Sequence, residues 1–280
     1  DDLTFEKIQQ LKDSPVNRLS IGVQSFRDED LKYMNRAHTA IEALNSIKMS
    51  QDAGFQNITI DLIYGTPGMS NEDWKHNLRK SFALNIPHIS SYALTVEEKT
   101  PLYYQILKKN IGPVDEQQSA DQFKILMDEM LRYGYEQYEI SNFCKDNLYS
   151  KHNSSYWKKD HYLGLGPSAH SYFGNSRLWN VSNNVKYIKA LSGSKLPLVK
   201  ENLNTQDMYN EYVMTSLRTK WGCSLIEIEK DYPMSFSHYF KAQIKRHEMN
   251  GYIIENKGVY TLSETGKLIA DRITSDLFFI

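Results

Sequence analysis

The segment Ile58-Thr-Ile-Asp-Leu-Ile-Tyr64 is an apolar run interrupted by a single aspartate, and it decides the fold class. Its length and its branched apolar residues predict a buried strand. The residues Gly65 to Gly68 predict a turn, and Ser70 predicts the cap of an amphipathic helix. A buried strand that leads at once into a helix is the repeating unit of α/β proteins.

The same unit recurs on both sides of this segment. Leu19 to Gln24 alternates apolar and polar residues, which predicts a strand, and His88 to Leu94 predicts another. Between the first two strands, Thr39 and Glu42 form a capping box for a helix. Its predicted apolar face consists of Ile41, Leu44 and Ile47. This order predicts parallel strands with right-handed crossovers, in either an α/β barrel or an open doubly wound sheet.

The second half of the chain has a different texture. Asp115 to Tyr133 predicts a long amphipathic helix, and Tyr135 to Phe143 predicts one further strand. From about residue 185, helices rich in charge are expected. Near the end, Tyr252 to Glu255 and Val259 to Leu262 predict a hairpin, and Ser263 caps a last helix. Helices followed by a two-stranded wing predict a winged-helix-like domain, so we place domains at residues 1–184 and 185–280.

Charge and cysteine content exclude several classes of protein. With 33 basic and 34 acidic residues among 280, the net charge is -1, which gives no global attraction to nucleic acid. From Lys195 to the end there are 11 basic and 11 acidic residues, which favours a packing role for the wing. Cys144 and Cys223 form no metal-spaced pair. With no membrane-length apolar run, a soluble cytoplasmic protein is predicted.

Three residues lie at or near the carboxyl ends of the predicted strands, where parallel α/β folds bind ligands. Gln24 closes the first strand, Asp61 lies within the second, and Ala93 lies near the end of the third. A carboxylate in an apolar strand is costly unless it is paired, so Asp61 either faces a ligand or accepts bonds from a neighbouring strand or arginine. Arg36 follows Gln24 closely enough to reach the same face, but a solvated surface arginine is the alternative.

The stretch from Tyr138 to Ser171 follows neither helical nor strand periodicity. It contains His152-Asn-Ser-Ser-Tyr-Trp157, in which His152 is a candidate metal or haem ligand and Tyr156 and Trp157 could stack on a flat ring. The alternative is that these histidines are structural, as for His161 and His170. Gly164-Leu-Gly-Pro-Ser-Ala-His170 is not a dinucleotide site, because no suitable helix follows. Its glycines instead predict close approach of the backbone to a ligand.

Several motifs in sequence order resemble one family. They are Asn17-Arg-Leu-Ser-Ile-Gly-Val-Gln-Ser-Phe26, Asn35-Arg36, Asp61-Leu-Ile-Tyr-Gly-Thr-Pro67, Tyr135-Glu-Gln-Tyr-Glu-Ile-Ser-Asn-Phe143, His152-Asn-Ser-Ser-Tyr-Trp157, Tyr162-Leu-Gly-Leu-Gly-Pro-Ser-Ala-His-Ser171 and Leu262-Ser-Glu-Thr-Gly266. The chain resembles the oxygen-independent coproporphyrinogen III oxidase-like radical S-adenosylmethionine proteins, and its His-Asn-x-x-Tyr-Trp motif resembles the HemW branch, regarded as haem chaperones. The resemblance implies a partial (β/α) barrel lacking its first strands, followed by a smaller, mostly helical domain.

The resemblance also implies cofactor contacts. Gln24, Arg36, Asp61 and Ala93 match the family's S-adenosylmethionine contacts, and His170 falls at a further one, where the oxidase branch has an aliphatic residue. Arg36 suits the methionine carboxylate, Gln24 and Asp61 suit ribose hydroxyls or the amino group, and Ala93 leaves room for adenine. The family holds a [4Fe-4S] cluster through Cys-x-x-x-Cys-x-x-Cys, which this sequence lacks. We therefore expect an N-terminally truncated chain that holds no cluster and binds S-adenosylmethionine weakly.

Three functions follow from the resemblance. The first is a haem chaperone that binds haem or another porphyrin and passes it to respiratory haem proteins. The second is the oxidase, which converts propionate side chains to vinyls by radical decarboxylation. The third, for this chain alone, is a binding module without catalysis, so whether it acts as an enzyme stays open. Neither nucleic acid nor a membrane-spanning segment is expected, and a homodimer is left open.

Overall fold

The computed structural model describes residues 3–108 and 111–280, which form two compact units, Asp1–Tyr149 and Ser150–Ile280. Residues 1 and 2, with which the predicted first domain begins, lie outside the described residues. The predicted domain boundary follows residue 184, whereas residues 150–184 belong to the second compact unit. The scheme of domains 1–184 and 185–280 stays a prediction. In the described part of the chain, no helix is long and apolar enough to cross a membrane.

The first unit consists of a five-stranded sheet covered by helices. The sheet has the order β1-β2-β3-β5-β4, and the pairs β1-β2 and β2-β3 are parallel, as predicted. In the described residues the sheet is open, with β1 and β4 at its edges. The elements are α1 (Phe5–Lys12), β1 (Leu19–Gln24), α2 (Asp28–Tyr33), α3 (Ala40–Asp52), β2 (Ile58–Tyr64), α4 (Asn71–Ala83), β3 (His88–Ala93), α5 (Pro101–Leu107), α6 (Glu116–Arg132), β4 (Glu136–Glu139) and β5 (Asn142–Cys144).

Helix α4 forms as its sequence predicts. Ser70 accepts a hydrogen bond from the backbone of Asp73, whose carboxylate accepts one from the backbone of Ser70, so a capping box satisfies two free amides. Trp74, Leu78 and Phe82, spaced four residues apart, form the buried apolar face of α4. Trp74 also donates its indole N–H to the carbonyl of Gln122 on α6 over 3.0 Å. The two helices are therefore joined by both packing and a buried hydrogen bond.

Helix α3 has the predicted capping box between Thr39 and Glu42, but its predicted apolar face is partly wrong. Ile41 is 59% exposed, whereas Ala43, Ile47 and Ser50 are buried. Successive helical residues are turned by about 100°, so Ile41 and Ala43 project from nearly opposite sides. The packed side of the helix is therefore the side of Ala43, Ile47 and Ser50, and Ile41 faces solvent.

The segment after α6 forms two strands where the sequence predicted one. Strands β4 and β5 make an antiparallel pair, and β5 also runs antiparallel to β3. Each strand is only three or four residues long, so alternation along the sequence is too short to separate them. The hairpin adds two strands in antiparallel pairing to one edge of an otherwise parallel sheet.

The second unit combines two small three-stranded sheets with seven helices among its described residues. One sheet has the order β6-β7-β8 and the other β10-β11-β9, and both are antiparallel. The elements are α7 (Lys151–Trp157), β6 (His170–Phe173), β7 (Ser176–Asn180), α8 (Asn184–Ser192), β8 (Leu198–Asn202), α9 (Thr205–Leu217), β9 (Cys223–Ser224), α10 (Leu225–Asp231), α11 (Met234–Met249), β10 (Ile253–Asn256), β11 (Val259–Leu262), α12 (Glu264–Lys267) and α13 (Ala270–Asp276).

The predicted wing is present at β10 and β11. The hairpin pairs Ile253 with Leu262, and Ser263 caps α12, as the sequence predicted. Strand β9 extends this wing to three strands. Gly266 has a packing role, because a Cβ there would lie 2.0 Å from the carbonyl oxygen of Tyr252. The sheet β6-β7-β8 was not predicted.

Candidate functional site

A row of polar side chains crosses the sheet of the first unit from strand to strand. Asp61 on β2 is opposite Ser90 on β3, Ser90 is opposite Asn142 on β5, and Asn142 is opposite Glu139 on β4. The Ser90 hydroxyl donates to the Asn142 side-chain oxygen over 2.9 Å, and the Asn142 amide donates to Glu139 over 2.6 Å. Ser90, Asn142 and Glu139 are buried. We call these four residues the polar row.

Asp61 is the half-buried end of the polar row. Burial raises the pKa of its carboxyl group, and the Ser90 hydroxyl and the Arg18 guanidinium oppose that shift. The neighbouring-strand contact and the arginine are the two internal partners that the sequence proposed for this residue. Ser90 and Arg18 only partly offset the effect of burial. A further hydrogen-bond donor would therefore stabilise the charged form of Asp61.

A second row of polar groups runs beside the first. Thr59 on β2 is opposite His88 on β3, and Arg18 donates to the Thr59 hydroxyl. The imidazole of His88 shares a 2.7 Å hydrogen bond with the hydroxyl of Tyr138. Burial, helped by the charge of Arg18, lowers the pKa of His88 to about 3. This histidine is therefore neutral at physiological pH and does not act as a cation.

Gln24 closes β1 with an unusual backbone that turns its side chain over the sheet. Its φ is +66°, and the register with β2 shifts there, so Gly22 and Val23 together lie opposite Asp61. A Cβ on Gly22 would lie 2.8 Å from the side-chain nitrogen of Gln24. The Gln24 amide therefore covers the glycine on the face of the sheet that carries Asp61. The structure brings these two predicted residues together at a bulge in β1.

Ala93 and Arg36 lie at the same end of the sheet but make fewer contacts. Ala93 ends β3 opposite Tyr64 and is exposed. Arg36 follows α2 and is also exposed, in agreement with the surface position that the sequence left open. His38 hydrogen-bonds the carbonyl of Val23 over 3.1 Å, which fastens the loop carrying Arg36 to the end of β1. The loop is thus held at the strand ends where ligands are expected.

In the second unit, the motif residues His152 and Tyr156 lie on one exposed side of the short helix α7. They are four residues apart, and the His152 ring nitrogen Nε2 lies 3.0 Å from the Tyr156 hydroxyl. Their rings meet edge to face, with centroids 5.0 Å apart. Trp157 points elsewhere: it is half-buried, with the Arg218 guanidinium 5.6 Å from its ring. The motif therefore presents a histidine and a tyrosine to solvent and anchors itself by the tryptophan.

Aromatic rings continue from α7 across one face of the sheet β6-β7-β8. Tyr156 meets Tyr162 edge to face at 4.8 Å, and Tyr162 stacks on Tyr172 at 6.1 Å. In the next row of the same face, His170 on β6 stacks on its cross-strand partner Trp179 at 6.2 Å. We call Tyr156, Tyr162, Tyr172, His170 and Trp179 the aromatic face. None of its members is fully buried.

The glycines of the loop before β6 have a structural role within the protein. A Cβ on Gly164 would lie 2.1 Å from the carbonyl oxygen of His170, and the Gly164 amide donates to Ser171 over 2.9 Å. Gly166 adopts a φ of +98°, which favours glycine. The expectation that Gly164 lets the backbone approach a ligand is therefore corrected: the space of its side chain is filled by the neighbouring strand.

Comparison with known proteins identifies the family. The profile of the Radical SAM superfamily matches residues 1–80. A protein of Bacillus subtilis (strain 168), named heme chaperone HemW, is 33% identical over 274 residues, covering 98% of this chain and 72% of that protein. The chain belongs to the HemW family. Another HemW protein, from Lactococcus lactis, is 35% identical over 243 residues, covering 87% of this chain and 64% of that one.

The fold of this HemW-family chain is that of a solved radical SAM enzyme. Coproporphyrinogen III oxidase (HemN) from Escherichia coli matches with a TM-score of 0.80 at 20% identity, covering 99% of this chain and 67% of that one. The likeness confirms the predicted partial radical-SAM-type α/β fold with its smaller second part. The sequence motifs and these similarities agree on the family.

The cluster cofactor of the superfamily is not matched by the described residues. Cys144 and Cys223 are both buried, and they belong to different units of this HemW-family chain. Within residues 3–108 and 111–280, no group of three or more His, Cys, Asp or Glu side chains is arranged to hold a metal ion. These residues supply no set of three thiolates for a [4Fe-4S] cluster.

Sequence reasoning missed three members of the buried polar network in this HemW-family chain. Ser90, Glu139 and Asn142 lie in strands that the sequence treated as ordinary. Glu139 and Asn142 belong to the stretch Tyr135–Phe143. Polar residues that stand next to apolar ones in a predicted strand were the signal that could have indicated them. His88 was also missed, because a histidine opening a strand is not distinguishable from a surface residue until its burial is known.

Proposed function

We propose that the protein is a HemW-type radical SAM protein that binds haem through its second unit and passes it to respiratory haem proteins. The observation that carries the proposal is the pair His152 and Tyr156, exposed side by side on α7 and continuous with the aromatic face. Imidazole is a common axial ligand of haem iron, and adjacent aromatic rings can stack on the flat porphyrin. The names of the relatives point to the same ligand.

His152 is the proposed iron ligand, with Tyr156 and Trp157 as its supporting residues. Tyr156 holds the imidazole by one hydrogen bond, so the ring is oriented while its other nitrogen is free of that contact. Trp157 is half-buried against Arg218, so it positions α7 rather than stacking on a porphyrin.

Haem titration followed by absorbance tests the ligand. We expect His152→Ala to weaken ferric haem binding by tenfold or more and to change the position of the Soret band. The matched control is His238→Ala, which removes an exposed histidine from α11 in the same unit and should leave both readings unchanged. Equal affinity and unchanged spectra for His152→Ala would remove that residue from the proposal.

We infer that S-adenosylmethionine contacts Gln24, Arg36, Asp61 and Ala93, with His170 as a further contact implied by the family resemblance. Gln24 and Asp61 support this most directly, because both present polar groups on one face near the strand ends. The raised pKa of Asp61 supports a role in accepting a hydrogen bond from the ligand. Arg36 offers an exposed cation for a carboxylate.

Ligand-detected NMR tests the S-adenosylmethionine site, because it detects weak binding. Saturation transfer from the protein to S-adenosylmethionine should fall several-fold in Asp61→Ala, whereas Asp52→Ala, at the exposed end of α3, should match the wild type. Equal transfer in all three proteins would contradict the assignment. Product analysis after incubation of coproporphyrinogen III with a full-length form that carries the cluster cysteines separates the chaperone from the oxidase, since a chaperone forms no protoporphyrinogen.

A further inference from the structure

One stretch of the second unit carries charge of a single sign. Residues 161–200 contain five lysines and arginines and no aspartate or glutamate, in a chain whose net charge is -1. Four of these five charges fall within fifteen residues, on or after α8. They are Lys186, Lys189, Lys195 and Lys200. All four lysines are exposed. The positive potential is therefore local, and it is concentrated around one helix.

Helix α8 exposes the side that such a helix normally buries. None of its residues is buried, and Val185, Ile188 and Leu191 are 75%, 63% and 45% exposed. Their spacing of three residues places them along one stripe. Tyr187 is half-buried, and its hydroxyl accepts a hydrogen bond from the Gly166 amide over 3.2 Å. The helix is thus attached through Tyr187, while Val185, Ile188 and Leu191 remain exposed.

The turn after α8 continues the exposed aliphatic surface. Lys195 bonds back to the carbonyl of Ala190 over 2.9 Å, and the Val181 amide donates to Pro197 over 2.8 Å. These two bonds fold the turn against the start and the end of the helix. Leu196 is 76% exposed, and Leu198 and Val199 are also exposed. We call residues 184–200 the α8 surface.

We propose that the α8 surface docks onto an anionic lipid bilayer. Its aliphatic side chains would enter the interface between headgroups and acyl chains, while the four lysines meet lipid phosphates. Lysine and isolated aliphatic residues are the composition of interfacial helices, whereas the centres of protein interfaces are rich in aromatic residues and arginine and poor in lysine. The proposal does not rest on haem binding, since no residue of the haem site belongs to this surface.

Flotation with lipid vesicles tests the proposal. The protein should float with phosphatidylcholine vesicles that contain about one third phosphatidylglycerol, and it should float far less with pure phosphatidylcholine. Raising the salt concentration should release it, because screening weakens the attraction of lysines to the surface. Failure to bind the anionic vesicles, or equal binding to both kinds, would overturn the proposal.

Two variants distinguish binding through the α8 surface from non-specific binding to the vesicles. Changing Lys186, Lys189, Lys195 and Lys200 together to Gln should weaken binding to anionic vesicles at least tenfold, since each lysine contributes about fivefold. Ile188→Ser should weaken it several-fold through the lost aliphatic contact. The control changes four exposed lysines of the last 60 residues to Gln and should retain binding: Lys230, Lys241, Lys245 and Lys257.

Circular dichroism shows whether each variant is folded, and the single change Ile188→Ser at an exposed site keeps the test valid if the fourfold variant unfolds. Vesicle binding that is unchanged in both α8 variants would show that this surface does not carry the attraction to lipid, and the proposal would fail. Equal loss in the control variant would also overturn it, because the attraction would then follow total charge.

Discussion

The polar row of the first unit and the aromatic face of the second unit both cross a sheet from strand to strand, yet they meet solvent differently. In the polar row, Ser90, Asn142 and Glu139 are buried and bond to one another. In the aromatic face, rings such as Tyr156 and His170 remain accessible. Because buried polar groups must satisfy one another, the first arrangement fixes the sheet. The exposed rings are free to meet a flat ligand.

The comparison predicts that removing a large side chain lowers the free energy of unfolding more in the first unit than on the aromatic face. Trp74→Ala in the first unit should lower the free energy of unfolding by about 3 to 5 kcal/mol, because the ring is fully buried and its N–H bonds Gln122. Trp179→Ala on the aromatic face should cost about 1 to 2 kcal/mol, since that ring is half-buried. Urea unfolding followed by circular dichroism measures both. Equal losses would break the contrast.

Acid should act on the first unit through His88. Burial lowers its pKa to about 3, whereas an unfolded histidine titrates near 6.5, so the unfolded chain binds more protons between these values. The stability that His88 contributes is present above pH 6.5 and is lost as the pH falls to 3. We expect a loss of about 2 to 4 kcal/mol over this interval.

His88→Gln tests this assignment, because glutamine can keep a hydrogen bond with Tyr138 without titrating. Unfolding free energies measured from pH 7 to pH 4 should fall less steeply in the variant than in the wild type. His152→Ala is the control from the exposed region and should leave the slope unchanged. An identical slope in the wild type and in His88→Gln would show that other groups govern acid unfolding.

The smallest effect is expected at Tyr156. Tyr156→Phe removes only the hydrogen bond with His152 on an exposed helix, so the free energy of unfolding should change by less than about 0.5 kcal/mol. The haem spectrum should still shift, because the imidazole loses the group that orients it. Denaturation and haem absorbance on the same sample check both readings. A large loss of stability would show that the aromatic face is structural.

Local patterns were good guides wherever one segment carries its own signal. The capping box at Thr39, the helix cap at Ser70, the parallel strands and the wing hairpin were all predicted from neighbouring residues. The sheet β6-β7-β8 was missed because its strands bury little: every residue of β8 is exposed, so no apolar alternation marks it. Ile41 was assigned to the packed side of α3, but Ala43, Ile47 and Ser50 form that side.

The candidate sites divide in the same way. The sequence indicated Gln24, Asp61 and the His152 motif as single residues of unusual chemistry. It could not indicate that Gln24 folds over Gly22 beside Asp61, which depends on a register shift between β1 and β2. Nor could it show that Trp157 is set aside from the exposed pair. Such details follow from backbone geometry that no local pattern encodes.

By itself the sequence determined the order of strands and helices in the parallel part of the first unit, the wing hairpin and, through its motifs, membership of the HemW family. These features depend on residues close together in the chain. Only the tertiary structure decided which polar groups are buried. Asp61, Ser90 and Asn142 come from three strands far apart in sequence, and their hydrogen bonds exist only when the sheet sets their register. Burial then raises the pKa of Asp61, because a surrounding of low polarity penalises the charged form of its carboxyl group.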